Sequence, residues 1–371
     1  MIRLAGTRGS LFTLERVTLG SQFHWERKED LTFPGDLLLH LREDGTICAI
    51  NEVDLEGYLA GVVSSEMNPE APMEFLKAHA ILSRSWLLAG LGRKGRSDIP
   101  IEGEKGKDEI LRYYGRSEHD LYDVCSEDHC QRYQGVTKIA PRVGEAIEQT
   151  RGGVMVFGEE ICDARYSKAC GGITEIYPTA WEDRSIPYLR SISDGPSPFP
   201  PLLGEKEVEA WIRSRPEAYC NVEDEELLGK VLTETDLKTR DFFRWRVEYP
   251  REELEEILKI KSGIDFGALK EIVPLRRGPS GRISRLKIAG TKRTFVVGKE
   301  LEIRRWLSRS HLYSSAFVVR KEADRFILLG AGWGHGVGLC QIGAAAMALK
   351  GCSAERILTH YFPGTDLKKI Y

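Results

Sequence analysis

GVVSSEMNPEAPMEFLKAHAILSR, residues 61–84, sets one acid, Glu66, in a polar Ser64-Ser65-Glu66 step between two helical runs. Upstream, Asp54 can cap a short helix carrying Leu55, Tyr58, Leu59 and Val62. Downstream, the Asn68-Pro69-Glu70-Ala71-Pro72 turn starts a second helix from about Met73. In that helix Leu76, Ala80, Ser83 and Leu87 recur at helical spacing and make one apolar or small face, while Lys77 and Arg84 share another. Pro69 and Pro72 keep the joint short, so Glu66 is expected on a rigid connector between packed helices, held in a groove. A glutamate near a helix start ordinarily complements the helix dipole and stays solvated; the stretch alone names a candidate, not a role.

The 371 residues, 42% hydrophobic and 29% charged, suffice for a full core and room for two or three domains. A net charge of −3 comes from 53 basic and 56 acidic residues mixed along the chain, without the basic stripe of a nucleic-acid binder, so no nucleic-acid partner is expected. No apolar run approaches the ~20 residues that cross a bilayer. The opening MIRLAGTRGSLFTLERVTLG lacks the apolar core of a secretory signal. Eight cysteines (Cys48, Cys125, Cys130, Cys162, Cys170, Cys220, Cys340, Cys352) are spread unlike a small disulfide scaffold. Metal ligation by two of them and burial of the rest fits at least as well as disulfides.

Outward from the quoted stretch, Leu37 to Leu41, the Glu43-Asp44-Gly45 turn and Thr46 to Ile50 read as a hairpin feeding the first helix. Residues 91–118, rich in Gly and charge, read as an exposed excursion. In HDLYDVCSEDHC, His119, Cys125, His129 and Cys130 offer two imidazoles and two thiolates, a full set for a structural zinc. His129 and Cys130 are adjacent, so only an irregular turn aims both at one ion; the alternative is a polar loop with buried cysteines. A helix around Val143 to Gln149 and a hairpin from Val154 deliver Tyr166-Ser167-Lys168-Ala169-Cys170-Gly171-Gly172-Ile173-Thr174 to a strand end. There bare glycine N–H groups of Gly171 and Gly172 could hold sugar oxygens, although such a step is often only a turn. From Pro196 to about Pro279 the composition changes, with helices expected over Glu205 to Arg213 and Arg251 to Lys261. The chain closes with GAGWGHGVGLCQIGAAAMALKGCSAERILTHYFPGTDL, residues 330–367. Gly332, Gly334, Gly336 and Gly338 alternate there around His335, and Gln341 starts a tightly packing Ala-rich helix. The absence of a GxxxxGK[ST] order argues against a nucleotide site.

These motifs resemble the SpoIID/LytB family of bacterial cell-wall proteins. The resemblance rests on Glu66-Met67, Pro69, Pro72, Leu76-Lys77-Ala78 and Arg84, on Tyr166-Ser167 with Gly171-Gly172 and Thr174, on Trp181, and on nearly all of 330–367. It spans roughly residues 45–195 and 280–367. His79 stands where the family more often has Gln, which leaves its role open. The resemblance implies an α+β fold: a helical catalytic region packed with mostly antiparallel sheet, formed by residues 1–195 and 281–371, with a smaller α+β lobe inserted over 196–280. It also implies a lytic transglycosylase of the cell envelope, outside the cytoplasmic membrane, that cleaves peptidoglycan glycan strands between N-acetylmuramic acid and N-acetylglucosamine without water, preferably strands stripped of peptide stems. Some SpoIID-like proteins carry a structural zinc on a similar His/Cys cluster, and relatives point to an amidase partner.

On that reading Glu66, its pKa raised toward ~6 in an apolar groove, protonates the leaving oxygen and then takes a proton from the muramic 6-hydroxyl. The substrate supplies the nucleophile, so one carboxyl suffices. His335 is expected to help position substrate or Glu66. Arg84 or Lys77 is expected to pair with a free lactyl carboxylate, and Tyr166, Ser167, Gly171, Gly172, Thr174, Gly334, Gly336 and Gln341 to line the substrate site. Two rivals remain: a non-catalytic wall-binding or amidase-modifying protein, and a thiol enzyme using Cys170 or Cys340 with His335.

Overall fold

Two helices, Leu55–Glu66 (α1) and Met73–Leu91 (α2), form the axis of a computed structural model that describes residues 1–7, 9–21, 26–92, 106–114, 119–239 and 241–371. Asp54 caps α1 by accepting the Gly57 N–H at 3.0 Å. The expected hairpin is present: Asp36–Leu41 pairs antiparallel with Ile47–Glu52, and Gly45 turns it at φ +82°. α2 is buried almost all round, from Phe75 to Leu87, so it is a core helix rather than an amphipathic one. Helix Pro141–Gln149 (α3) packs across both.

Helix and strand each account for 28% of the chain and the sheets are small and mostly antiparallel, an α+β fold. Two short parallel pairs carry the long-range organisation. Tyr166–Ser167 pairs with Leu339–Cys340, which brings the C-terminal glycine-rich motif beside the middle of the chain. Glu109–Leu111 pairs with Thr294–Gly298, so part of the stretch read as an excursion is a sheet edge; residues 93–105 and 115–118 lie outside the described set.

The cores divide elsewhere than at residues 196 and 280. A first core gathers α1, α2, α3 and the C-terminal helices Gln341–Leu349 and Ala354–Tyr361, and it also takes Cys220, Leu228, Val231, Leu232, Phe242 and Phe243. A second core runs from Trp245 to Leu328, on the sheet of Arg244–Pro250, Arg325–Ala331 and Phe317–Glu322 and the sheet built on Ile283–Gly290. The apolar residues Leu227 to Leu232 belong to the first core because the connector after α1 needs partners. There the Asn68 N–H donates to Val231 O at 3.0 Å and its side-chain amide to Gly229 O at 2.8 Å.

Candidate functional site

Glu66 is the last residue of α1, not part of the connector. The helix runs on to it and breaks at Met67, which is extended, because Asn68 precedes a proline and is driven out of the helical region. What holds the carboxyl is a segment lying along α1. Gly61 permits the approach, since a Cβ there would stand 2.6 Å from the Tyr133 ring and 2.7 Å from Gly135 O. One turn on, Ser65 Oγ accepts the Gln134 N–H at 3.2 Å, and the Arg132 N–H then reaches Glu66 Oε1 at 3.0 Å. Tyr166 OH donates to the same oxygen at 3.0 Å, and the Gln341 amide approaches Oε2 at 3.5 Å. Burial, then the neighbouring Glu66, keep the Tyr166 phenol well above its ordinary range, so it stays a donor.

Gln341 also meets His79 Nε2 at 3.0 Å, and His79 Nδ1 meets Ser83 Oγ at 3.2 Å. Burial, helped by Lys168, lowers His79 to about 3, so the ring is neutral. With Nε2 accepting from the Gln341 amide, the proton belongs on Nδ1. Behind the carboxyl, Lys168 Nζ donates to Glu66 O at 3.0 Å and to Asp236 at 2.7 Å. Burial works to raise Asp236, but Lys168 and Arg132 outweigh it and hold it below the usual carboxylate range. Asp128 is bonded to Arg132 through both oxygens, and burial raises its carboxyl despite that cation. Glu66 therefore sits among polar donors rather than in an apolar groove, and among the described residues its side-chain hydrogen bonds go to a backbone N–H, a phenol and an amide.

Residues 43–157, which contain Glu66, Arg132 and the His/Cys loop, match the stage II sporulation protein family model; residues 175–338 match a domain of unknown function. The stage II sporulation protein D of Bacillus amyloliquefaciens is 24% identical over 321 residues, 86% of this chain and 76% of that one. An uncharacterized protein of Brachyspira hyodysenteriae is 24% identical over 89% of this chain and 71% of its own. The amidase enhancer of Bacillus subtilis is 23% identical over 83% of this chain and 40% of its own. Over these stretches the chain is similar to the SpoIID family.

In this chain Glu66, Tyr166 and Gln341 come together, whereas several other candidates do not join them. Arg84 is fully enclosed: it forms a bidentate pair with Glu56 at 3.0 and 2.6 Å and donates to Gly153 O at 2.8 Å, so a substrate carboxylate would have to displace Glu56. Removing one partner of such a buried pair costs about 3–5 kcal/mol, which marks Arg84 as scaffold. Lys77 pairs with Glu74 at 2.8 Å and lies two residues, about 200° of helix, from His79, on the far side of α2 from Glu66. Thr174 is fully buried and spent on Arg190 O and the Ile192 N–H. Gly171 and Gly172 have φ of +83° and +107°, and a Cβ would meet the Gly332 backbone and the Trp211 ring, so these glycines admit protein rather than sugar.

His335 is displaced too. Ser167 Oγ accepts the Gly336 N–H at 3.1 Å, and a Cβ on Gly336 would lie 2.4 Å from the Arg282 guanidinium carbon, while one on Gly334 would meet Ser167. The glycine-rich loop thus wraps the buried Arg282, which donates to Cys170 O and Gly334 O. His335 Nδ1 accepts the Val337 N–H at 3.0 Å, and its ring meets Trp181 at 4.8 Å, beside Arg165. Burial and then Arg165 push it well below the usual imidazole range. Cys170 and Cys340 are buried in a cluster with Asp194 and Cys220, and among the described residues His335 is not one of the groups gathered there. A groove of about 900 Å³ lies elsewhere, against Pro198, Leu202, Arg276 and Pro279.

The four candidate metal ligands do converge. His119, Cys125, His129 and Cys130 place their ligand atoms within 4.8 Å of one another, with Cys130 Sγ at 3.8 Å from His119 Nδ1 and 3.6 Å from His129 Nδ1. The adjacent pair manages this in a turn closed by the Cys130 N–H on Glu127 O. Hydrogen bonding from Cys130 lowers the Cys125 thiol against the opposing effect of burial, which suits a thiolate ligand. Two imidazoles and two thiolates fit tetrahedral zinc. Asp128, Arg132 and Asp236 belong to the Glu66 cluster without having been named by the motifs, while His79 was noted only as a departure from the family pattern and Lys168 only within the strand-end segment. Arg132, two residues past Cys130, carried a positional signal.

Proposed function

We propose that this chain is a peptidoglycan lytic transglycosylase of the cell envelope, with Glu66 as the single acid and base. The Glu66 carboxyl protonates the glycosidic oxygen between N-acetylmuramic acid and N-acetylglucosamine as the C1–O bond breaks. The resulting carboxylate takes the proton of the muramic 6-hydroxyl, whose oxygen closes on C1 to give the 1,6-anhydro sugar. Atoms balance without water, and the intramolecular nucleophile replaces the second carboxylate of a hydrolase. Tyr166 and the Arg132 N–H stabilise the carboxylate form, and Gln341 orients it.

The observation that carries this reading is the partnership of the cluster's acids. Asp236 is locked between two cations and Asp128 is tied to one, whereas Glu66 meets a backbone N–H, a phenol and an amide. Mass spectrometry of digested glycan strands, with and without peptide stems, tests it. Products lighter by one water than hydrolysis gives are expected, favouring stem-free strands. Hydrated reducing ends that vanish with Asp128→Asn would instead mean a hydrolase.

A structural zinc on His119, Cys125, His129 and Cys130 belongs to the same reading. The loop it would hold runs directly into the segment lying on α1, so the ion would fix the Arg132 N–H against Glu66. Elemental analysis should find zinc that is lost in Cys125→Ser/Cys130→Ser; zinc that survives in that loop would end this assignment. The relative named amidase enhancer favours a second reading, a wall-binding protein that acts on an amidase partner. Glycan binding with no cleavage by wild-type protein, and faster amidase turnover in its presence, would select it.

A further inference from the structure

Away from Glu66, four groups from four separate stretches meet in the interior: Cys170, just past the Tyr166–Ser167 strand; Asp194; Cys220; and Cys340, directly before the helix Gln341–Leu349. They are 2%, 0%, 2% and 0% exposed, and their ligand atoms all lie within 4.8 Å of one another. Cys170 Sγ and Cys220 Sγ are 3.7 Å apart. Two sulfurs bound to one tetrahedral zinc at about 2.3 Å stand about 3.8 Å apart, whereas a disulfide needs about 2.05 Å.

Polar hydrogens point at three of the four groups. The Cys170 N–H donates to Cys340 Sγ at 3.2 Å and the Gly172 N–H to Cys170 Sγ at 3.3 Å. Both Asp194 oxygens accept, Oδ1 from Tyr361 OH and Oδ2 from the Cys220 N–H at 3.0 Å. Among the described residues no ion pair is made to Asp194, although it is wholly buried. A carboxylate in that position is costly without a cation. Gly343 keeps the site narrow, since a Cβ there would stand 2.5 Å from Asp194 Oδ1.

We propose that Cys170, Asp194, Cys220 and Cys340 form a second metal site, a closed tetrahedral site for zinc. Three thiolates and a carboxylate are a soft, N-free donor set distinct from the His/Cys loop. Each thiol that binds releases its proton to solvent, and with four protein ligands no position stays open for water or substrate, so the role is structural. The ion would cross-link stretches that otherwise meet through packing and a few hydrogen bonds. Cys220 belongs to the segment that supplies Val231 to Asn68 and Asp236 to Lys168, and Cys340 precedes Gln341.

The test is metal content and spectroscopy on the full chain. Wild-type protein purified without chelator should carry two zinc ions, and Cys125→Ser/Cys130→Ser should keep one. Loading the chelated double variant with Co²⁺ alone should give tetrahedral visible bands and thiolate charge transfer that Zn²⁺ removes. In wild-type background, Cys220→Ser should lose one ion of two and weaken Zn²⁺ binding at that site by about 100-fold or more, beyond the loss from an outer-shell change. Alkylation should reach Cys170, Cys220 and Cys340 only after chelation. A correctly folded protein whose only zinc is that of the His/Cys loop overturns the proposal. So does a non-reducing peptide map that joins Cys170 to Cys220.

Discussion

The two faces of the short strand around Tyr166–Ser167 carry similar residue types and do different things. One presents Tyr166 and Lys168 to Glu66, with the neutral His79 behind Gln341. The other presents Arg165 and Ser167 to the loop holding His335, with Trp181 and Arg282. Each face has an imidazole and cations, buried at His79, Lys168 and Arg282 and half-buried at His335 and Arg165. Only the first ends in a carboxyl whose donors are neutral and which can therefore give and retake a proton without breaking an ion pair. On the second, the glycines and the imidazole satisfy backbone groups around a buried arginine. A residue type suited to catalysis acquires that role from what it touches.

The sharpest way to break this comparison is Glu66→Gln. Size and shape are kept but the proton cannot be exchanged, so cleavage should fall by about two or more orders of magnitude while the thermal melt and glycan binding stay near wild type. An active variant would remove Glu66 from the chemistry. Next, Tyr166→Phe deletes one of two donors to Glu66 Oε1 and should lower the rate by about tenfold, the order expected for a hydrogen bond to a charged group; Ser167→Ala, on the opposite face, should leave the rate within about threefold.

The histidines sharpen the contrast through pH. His79 is lowered to about 3, and His335 and His360 are lowered as well, chiefly by burial. Their folded pKa values lie below the unfolded value near 6.5, so the stability they confer is complete above that pH. It declines as pH falls, because the unfolded chain takes up protons that the folded chain refuses. Each contributes a slope of about 1.4 kcal/mol per pH unit while it stays neutral. Urea unfolding of wild type between about pH 7 and 5 should show the decline, and His79→Gln should flatten it by one proton; an unchanged slope would mean His79 is not held neutral. The smallest effect on turnover belongs to His335→Ala. It should cost about 1–2 kcal/mol of stability through lost packing and one backbone acceptor, with cleavage within about threefold of wild type. A large loss of cleavage at unchanged stability would move His335 to the working face.

Local features were legible because short-range rules determine them. The Asp54 cap, the two helices flanking a proline-limited joint, the hairpin turning at Gly45 and the helix starting at Gln341 each follow from a few neighbouring residues. The gathering of His119, Cys125, His129 and Cys130 was legible for the same reason, since one loop carries all four side chains. Which candidates would share a site was not. Lys77 and Arg84 have the charge a carboxylate ligand would want, but Arg84 is consumed by Glu56, a choice made by how α1 crosses α2. Gly171, Gly172, Gly334 and Gly336 read as a bare cradle, yet whether bare backbone faces a ligand or a buried arginine depends on what packs there. His79, Asp236 and the Cys170, Asp194, Cys220 and Cys340 cluster come from segments far apart in the chain, and no spacing rule links them. The sequence by itself determined the helices, the turns, an acid beside the proline-limited joint and the closeness of His119, Cys125, His129 and Cys130, all through capping, proline sterics, periodicity and short spacing. Only the tertiary structure decided which buried charge is neutralised by which partner, because burial and pairing are properties of the folded interior and leave no local pattern to read.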